Sequence, residues 1–278
     1  MTAAVRERPP LAVVEAEVVA VARLTPRMRR ITLGGPALVG YPGDHPGDAV
    51  KLVLPPTGAG EPPRATWGPD GLALADPDAE FALRTYTVRR CADGLMDIDA
   101  VLHGSGPGST WARTAAVGDA AVLLGPRRDF PDDLSAGAPD LLLVAGDETA
   151  VPAAAGIAEA LPAGARAVFV LEVDGPADEV AIESAGELTV TWVHRGSGSL
   201  VEAVRALRLP AGRVRAWAAA ESGVAVELRG VLRREHGLSR GAVSAFGYWQ
   251  RDRVAEEVAE VSEDTEDTQD TEGTEEHR

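Results

Sequence analysis

Near Asp140 the apolar pattern of this chain changes its period, and the change divides the sequence into two unlike halves. Before it, short β-branched runs separated by Gly/Pro turns recur at Glu15–Thr25, Arg29–Gly34, Ala49–Leu54, Phe81–Arg90, Leu95–Leu102 and Ala120–Leu124. Runs of this length and spacing predict an antiparallel β-barrel. After it, continuous apolar runs stand at Leu141–Ala145, Ala165–Val173, Leu188–His194, Arg213–Ala219 and Ala242–Phe246. A run apolar at every position suits a strand buried on both faces. Helical patterns at Ala150–Leu161, Ser199–Leu207 and Val224–His236 lie between several of them. Strand–helix alternation predicts a parallel sheet with helices on both faces. The expected organisation is a barrel over residues 11–134 and an α/β unit over 138–253, with the boundary in the Pro/Asp/Gly-rich stretch Phe130–Pro139. Within the first half, residues 57–80 read as one long loop, and a short helix is opened by Ser109 or Thr110 and runs to about Ala116.

Charge and cysteine content narrow the function classes. The chain of 278 residues carries a formal net charge of −16, but residues 254–278 hold eleven acidic groups against one Arg and so account for −10 of it. That segment has no aromatic residue and is expected to be a disordered, solubilising tail. The rest is mildly acidic, with no basic block suited to nucleic acid. The single cysteine, Cys91, excludes a disulfide framework, a four-thiolate iron–sulfur cluster and a cysteine-built zinc site. No stretch reaches the ~18–20 apolar residues of a membrane helix, so no membrane insertion is expected. The N-terminal MTAAVRERPP lacks a secretory apolar core, which makes the cytoplasm the expected compartment.

Five segments could carry chemistry. The first is Arg84-Thr85-Tyr86-Thr87-Val88-Arg89-Arg90. In a strand, Arg84 and Tyr86 share one face, about 7 Å apart, while Thr85 and Thr87 share the other. A same-face guanidinium and aromatic ring can grip a phosphate and stack on the aromatic group that carries it, as in flavin and adenine nucleotides. A half-exposed strand of good β-formers has the same spacing with no ligand. The second is His103-Gly104-Ser105-Gly106-Pro107-Gly108-Ser109-Thr110-Trp111-Ala112. Its glycines allow close backbone approach, and the helix that follows presents free N–H groups to an anion. The third glycine comes one residue early for the dinucleotide fingerprint, and the context is all-β. The alternative is a plain Gly-rich turn before a helix.

Third is Gly146-Asp147-Glu148-Thr149-Ala150, which follows a buried strand and precedes a helix. Ligands of open parallel sheets bind at such carboxyl ends. Its two carboxylates can bond a ribose or an amide, or can simply cap the helix. Fourth are the polar strand ends Glu172, His194-Arg195 and Glu221-Ser222. Arg195 is a candidate for a nucleotide phosphate or a solvated strand end. Fifth is Gly247-Tyr248-Trp249, an aromatic pair that covers a cofactor or packs a seam.

Taken in order, these stretches resemble the siderophore-interacting protein family of flavin-dependent ferric-siderophore reductases. The resemblance runs from about Val13 to Trp249. It is carried by KLVLP at 51–55, RTYTVR at 84–89, the run 99–112, GDETAVPA at 146–153, WVHR at 192–195 and GYW at 247–249. It implies a fold like that of ferredoxin reductases, with a flavin-binding barrel followed by a nicotinamide-nucleotide domain. It also implies an NAD(P)H:ferric-siderophore oxidoreductase with FAD as cofactor, NADPH or NADH as donor and a ferric siderophore as substrate.

Arg84 is then implied at the FAD phosphates, Tyr86 on the isoalloxazine and Thr87 near its redox-active nitrogen, with Thr85 and Val101 alongside. His103, Gly104, Gly108, Ser109 and Thr110 are implied at the pyrophosphate and ribityl chain. Asp147, Glu148, Thr149 and Arg195 are implied at the nicotinamide nucleotide, with Glu221, Tyr248 and Trp249 also lining the cofactors. Lys51, Arg251 and Arg253 are the candidate cations for an anionic siderophore complex. Two places depart from the family pattern: Ala219-Ala220-Glu221 replaces Ala-Gly-Glu, and Gln250-Arg251-Asp252 follows GYW where an Arg and a Gly are usual. They bear on dinucleotide preference and on the siderophore-facing edge. Two other readings share most of these residues: a non-catalytic flavin- or siderophore-binding module, and a general flavin reductase without siderophore specificity.

Overall fold

The computed structural model describes residues 10–43, 45–130 and 139–250. In the first half, β1 (Ala12–Thr25), β2 (Met28–Gly34), β3 (Asp48–Leu54), β6 (Ala82–Thr87), β7 (Arg90–Ala92), β8 (Leu95–Val101) and β9 (Ala120–Arg128) form one antiparallel sheet in the order β6-β3-β9-β1-β2-β8-β7. Alternate residues of these strands point inward. Val18, Ile31, Leu33, Val50, Leu52, Met96, Ile98 and Leu123 build the core that results, and each is 1% exposed or less. Helix α1 (Pro107–Thr114) closes that core with Trp111 and Ala112.

The run Phe81–Arg90 is not one strand. Val88 N donates to Asp48 O of β3 at 2.7 Å, and Arg89 N donates to Asp97 O of β8 at 2.9 Å. Two consecutive residues thus bond to strands at opposite ends of the sheet. The chain crosses the gap between β6 and β7 there, which curls the sheet into the expected barrel. Residues 57–80 are also not plain loop, because Ala65–Gly68 (β4) and Gly71–Leu74 (β5) pair as a hairpin. Its Ala65, Leu72 and Leu74 cover Val53, Phe81 and Leu83 on the outside of the barrel. The Gly and Pro content around this hairpin masks its short alternating strands.

In the second half, β10 (Leu141–Gly146), β11 (Arg166–Val173), β12 (Glu187–His194), β13 (Val214–Glu221) and β14 (Val243–Trp249) form a wholly parallel sheet in the order β12-β11-β10-β13-β14. The central strand shows why its sequence is apolar throughout. Leu142 and Val144 pack under α2 (Val151–Glu159), while Leu143 and Ala145 pack under α3 (Leu200–Arg205) and α4 (Ser222–Gly230). The pattern expected to be helical over Val224–His236 is α4 followed by a wider π-turn at Val231–Glu235. Among the described residues, no helix is long and apolar enough to cross a membrane.

The two units share a core. Met28, Val101 and Phe130 of the barrel join Trp217, Phe169 and the buried face of α2 in one apolar cluster. Trp217 is 1% exposed, and its Nε1 donates to Asp129 O at 3.0 Å. Phe130, Phe246 and Tyr248 surround its ring at 6.2–6.4 Å. The Arg89 guanidinium reaches across to the Glu159 carboxylate of α2. The segment 131–138, where the domain boundary was expected, lies outside the described residues, as does the tail at 254–278.

Candidate functional site

The Gly-rich loop after β8 turns into α1 against the inner face of β6. Gly108 is what allows the contact: a Cβ there would lie 2.6 Å from the Tyr86 hydroxyl and 3.2 Å from Arg84 Cγ. The helix starts at Pro107 with Gly106 as its N-cap, and no side chain caps it. Ser109 and Thr110 therefore lie inside the first turn, and the helix opens three to four residues earlier than expected. Ser109 Oγ accepts from His103 N at 2.9 Å and so holds the loop to the helix rather than capping it. A Cβ at Gly104 or at Gly106 would meet nothing within 4 Å, so the loop is open on its outer side.

Arg84 stands beside this uncapped helix end. Among the described residues its guanidinium has one hydrogen-bond partner, the adjacent Leu83 carbonyl, at 2.7 Å. Its remaining N–H groups are available to an anion. Tyr86 lies against Trp111, with ring centroids 5.6 Å apart and tilted by 51°. Burial pushes the Tyr86 phenol well above its ordinary pKa, against the opposing pull of Arg84, so it stays neutral. Uncapped N–H groups, an open glycine loop and a guanidinium with spare donors are what a pyrophosphate requires.

On the opposite face of β6, Thr85 is exposed and sits across from Lys51 of β3, while Thr87 is 7% exposed and faces the α/β unit. There the Tyr248 hydroxyl is buried and has no hydrogen-bond partner among the described residues. The Thr87 hydroxyl approaches it and slightly opposes the rise in its pKa, but falls short of hydrogen-bond geometry. Unpaired buried hydroxyls are uncommon because each forfeits its hydration. The Tyr248 hydroxyl is thus a polar group left unsatisfied in the seam between the two units. Deflavinated Tyr248→Phe protein is accordingly expected to be about 1 kcal/mol more stable than the parent. Thermal melts check this, and the gain should vanish with FAD bound if the flavin partners that hydroxyl.

Of the two roles open to Asp147, ligand contact or bonds to its own chain, the hydrogen bonds show the second. It is 3% exposed, and its Oδ1 accepts from Thr149 N at 2.9 Å and from the Thr149 hydroxyl. Its Oδ2 accepts from Glu221 N and from Trp249 Nε1, both at 2.8 Å. Burial raises its pKa, and the Thr149 and Trp249 bonds pull the other way. Both oxygens are thus committed to tying β10, β13 and β14 together, with none directed at a ligand. The Trp249 ring in turn meets the His103 ring at 5.7 Å, joining the end of β14 to the glycine loop of the barrel. Asp147→Asn replaces one acceptor oxygen with an NH2 facing two donors. It is expected to lower stability by about 1–3 kcal/mol, measured by urea titration.

Glu221 likewise turns inward to its own chain: its Oε2 accepts from Gly223 N at 2.8 Å and Val224 N at 3.2 Å, capping α4. Arg195, expected at a phosphate, is bound by carboxylates. It forms a two-pronged pair with Glu148, bonds Glu172 at 3.2 Å and lies 4.0 Å from Asp174. These neighbours, Glu148 first, raise its pKa further. Val101 has its side chain in the shared core, so only its backbone can face a cofactor. Arg251 and Arg253 lie outside the described residues.

The predicted residues thus gather into four groups: Arg84, Tyr86 and Gly108; Thr87 and Tyr248; His103, Trp249, Asp147 and Thr149; and Glu148 with Arg195. Sequence reasoning missed Asp174 and Asp178, which join the Arg195 network through Arg27 of the barrel. Their place just past the carboxyl end of β11 was the available signal. A cavity of about 640 Å³ lined by Pro56, Leu72, Leu74, Pro77 and Phe81 lies at the outer hairpin, away from these groups.

Two family models together span the described chain. "Siderophore-interacting FAD-binding domain" matches residues 17–130, and "Siderophore-interacting protein" matches residues 139–252. The ferric vibriobactin reductase ViuB of Vibrio cholerae is 32% identical over 243 residues, covering 82% of this chain and 85% of its own. A siderophore utilization protein from T. fusca is 34% identical with a TM-score of 0.71, over 88% of this chain and 95% of that one. The siderophore-interacting protein SipS from Aeromonas hydrophila is 29% identical with a TM-score of 0.70, over 87% of this chain and all of its own. The ferredoxin reductase of carbazole 1,9a-dioxygenase, at 20% identity and a TM-score of 0.61, shares the fold over 87% of this chain and 70% of its own.

Proposed function

The chain belongs to the siderophore-interacting protein family, and from that premise we propose that it is an NAD(P)H-dependent flavoprotein that reduces ferric siderophores. The observation that carries the reading is Arg84 with spare donors beside the uncapped, glycine-lined start of α1. When bound, FAD supplies the redox chemistry, accepting two electrons from a nicotinamide and passing them singly to Fe(III). The chain's own residues bind and orient. Arg84 and the first-turn N–H groups of α1 hold the pyrophosphate, and Gly104 and Gly106 leave room for it. Tyr86, kept neutral by burial, offers an aromatic face. Thr87 and Tyr248 turn hydroxyls toward the seam, where they can bond a polar ring edge.

The seam also excludes water, because Trp217, Phe130 and Phe246 seal it from below. The siderophore is the substrate, and its release of iron follows from coordination chemistry: hard oxygen donors hold Fe(III) far better than Fe(II). Lys51, on the face of Thr85 and Thr87, is the described cation we assign to an anionic chelate. We place the reaction in the cytoplasm, where nicotinamide nucleotides are abundant.

The test is spectroscopic. Protein loaded with FAD is expected to be yellow and to bleach without oxygen on addition of NADH or NADPH. Yellow protein that bleaches under chemical reductant but under neither nucleotide would show a flavin binder with another electron donor.

A further inference from the structure

The site in question is set by topology: in a doubly wound parallel sheet, a nucleotide lies across the carboxyl ends of the strands, where the strand order reverses. Here the reversal falls between β10 and β13, and in such folds the ribose is met by an acidic residue about 20 positions further on, which points to the end of β11. Those ends carry Glu172 and Asp174 on β11 and its exit, and Arg195 after β12. Arg195 is already held by Glu148 and Glu172, with Asp174 at 4.0 Å. The other nearby cation, Arg27, is held by Asp174 at 3.1 Å, and its backbone N–H by Asp178 at 3.0 Å. Four carboxylates thus surround two arginines, three of them at the guanidinium groups, leaving the network at −2. His194, the remaining titratable neighbour, is paired with Glu179 at 2.7 Å.

We propose that this edge selects NADH over NADPH, with Glu172 and Asp174 as the selecting residues. A ribose 2′-hydroxyl donates a hydrogen bond to a carboxylate, whereas a 2′-phosphate brings up to two further negative charges to a network that is already negative. Recruiting Arg195 to a phosphate would strip Glu148 of its partner. The Glu148 side chain is 9% exposed, and a carboxylate left alone at that depth is strongly disfavoured. The Glu148–Arg195 pair therefore acts as a lock on the cation that stands at the end of β12.

The inference rests on the α/β unit being the nucleotide-binding half. Two measurements test it on FAD-loaded protein. Calorimetric titration is expected to show 5′-AMP binding at least about tenfold more tightly than adenosine 2′,5′-bisphosphate. The gap should narrow as salt rises, because screening weakens repulsion between exposed charges. Steady-state reduction of the flavin is expected to give a kcat/KM for NADH at least about tenfold above that for NADPH, carried mainly by KM. In the double variant Glu172→Gln/Asp174→Asn, which removes two negative charges, releases the Arg27 guanidinium and leaves Arg195 held by Glu148 alone, the ratio should fall several-fold through a lower KM for NADPH. Equal use of the two nucleotides by the parent protein, or a preference for NADPH, overturns the inference while leaving the reductase reading intact. So does a preference for NADH that is indifferent to both salt and the double variant. If neither nucleotide reduces a flavin that dithionite can reduce, the donor reading falls, and the selectivity falls with it.

Discussion

Arg84→Ala protein is expected to fold, to purify largely colourless, and to bind added FAD roughly 10- to 150-fold more weakly than the parent. The figure follows from losing a charge-assisted contact worth about 1.5–3 kcal/mol. The fold should survive because Arg84 is half-buried and bonds only the carbonyl of its neighbour Leu83 among the described residues. Its removal leaves no buried partner unsatisfied. Arg195→Ala is the control: it too removes a guanidinium, but one locked to Glu148 on the other unit, and it should leave FAD affinity unchanged. Fluorescence titration of deflavinated protein with FAD separates the two. Full flavin occupancy in Arg84→Ala would remove the phosphate assignment.

The second large effect concerns the seam. Trp217→Ala deletes the largest fully buried side chain of the described structure, together with three aromatic contacts and the bond to Asp129 O. Truncations of this kind cost about 3–5 kcal/mol, a large share of the ~5–15 kcal/mol that keeps a domain folded. The variant is expected to lose cooperative unfolding between the halves, with two urea transitions replacing one. Trp217→Phe separates packing from polarity. It keeps a ring but leaves Asp129 O unpaired, and should cost about 1–3 kcal/mol. Two-transition behaviour in the parent protein would mean that the seam does not couple the units.

The two architectures were legible in the sequence because period is a backbone property. A barrel strand with one buried face alternates, and a strand under helices on both sides does not. Leu141–Gly146 shows the second case with all six residues buried. The hairpin Ala65–Leu74 was hidden because its strands are four residues long and lie amid Gly and Pro. The break at Val88–Arg89 was hidden for another reason: it depends on strands 40 residues upstream and eight downstream that both bond to one short segment.

The candidate site divides in the same way. Arg84, Tyr86 and the glycine loop were visible because their spacing is local to one strand and one turn. Asp147 and Arg195 were placed correctly at strand ends, but their roles depend on partners 47 to 102 residues away, and no local pattern names those. A charged residue at a strand end can face a ligand or bond its neighbours. The difference lies in whether other elements bring the opposite charge, as Glu148 and Glu172 do for Arg195 and nothing described does for Arg84.

Electrons are expected to pass from a nicotinamide nucleotide through FAD to iron held in a siderophore. The direct measurement is anaerobic stopped-flow absorbance of the reduced protein mixed with a ferric catecholate or hydroxamate siderophore, with an Fe(II)-specific chromogenic chelator present. The oxidised flavin band is expected to return and the Fe(II) complex to appear, with two Fe(II) formed per flavin. Free FMN in place of the siderophore should restore the band much more slowly. Rapid reoxidation by free flavin, with no Fe(II) formed from any ferric siderophore, would exclude this route.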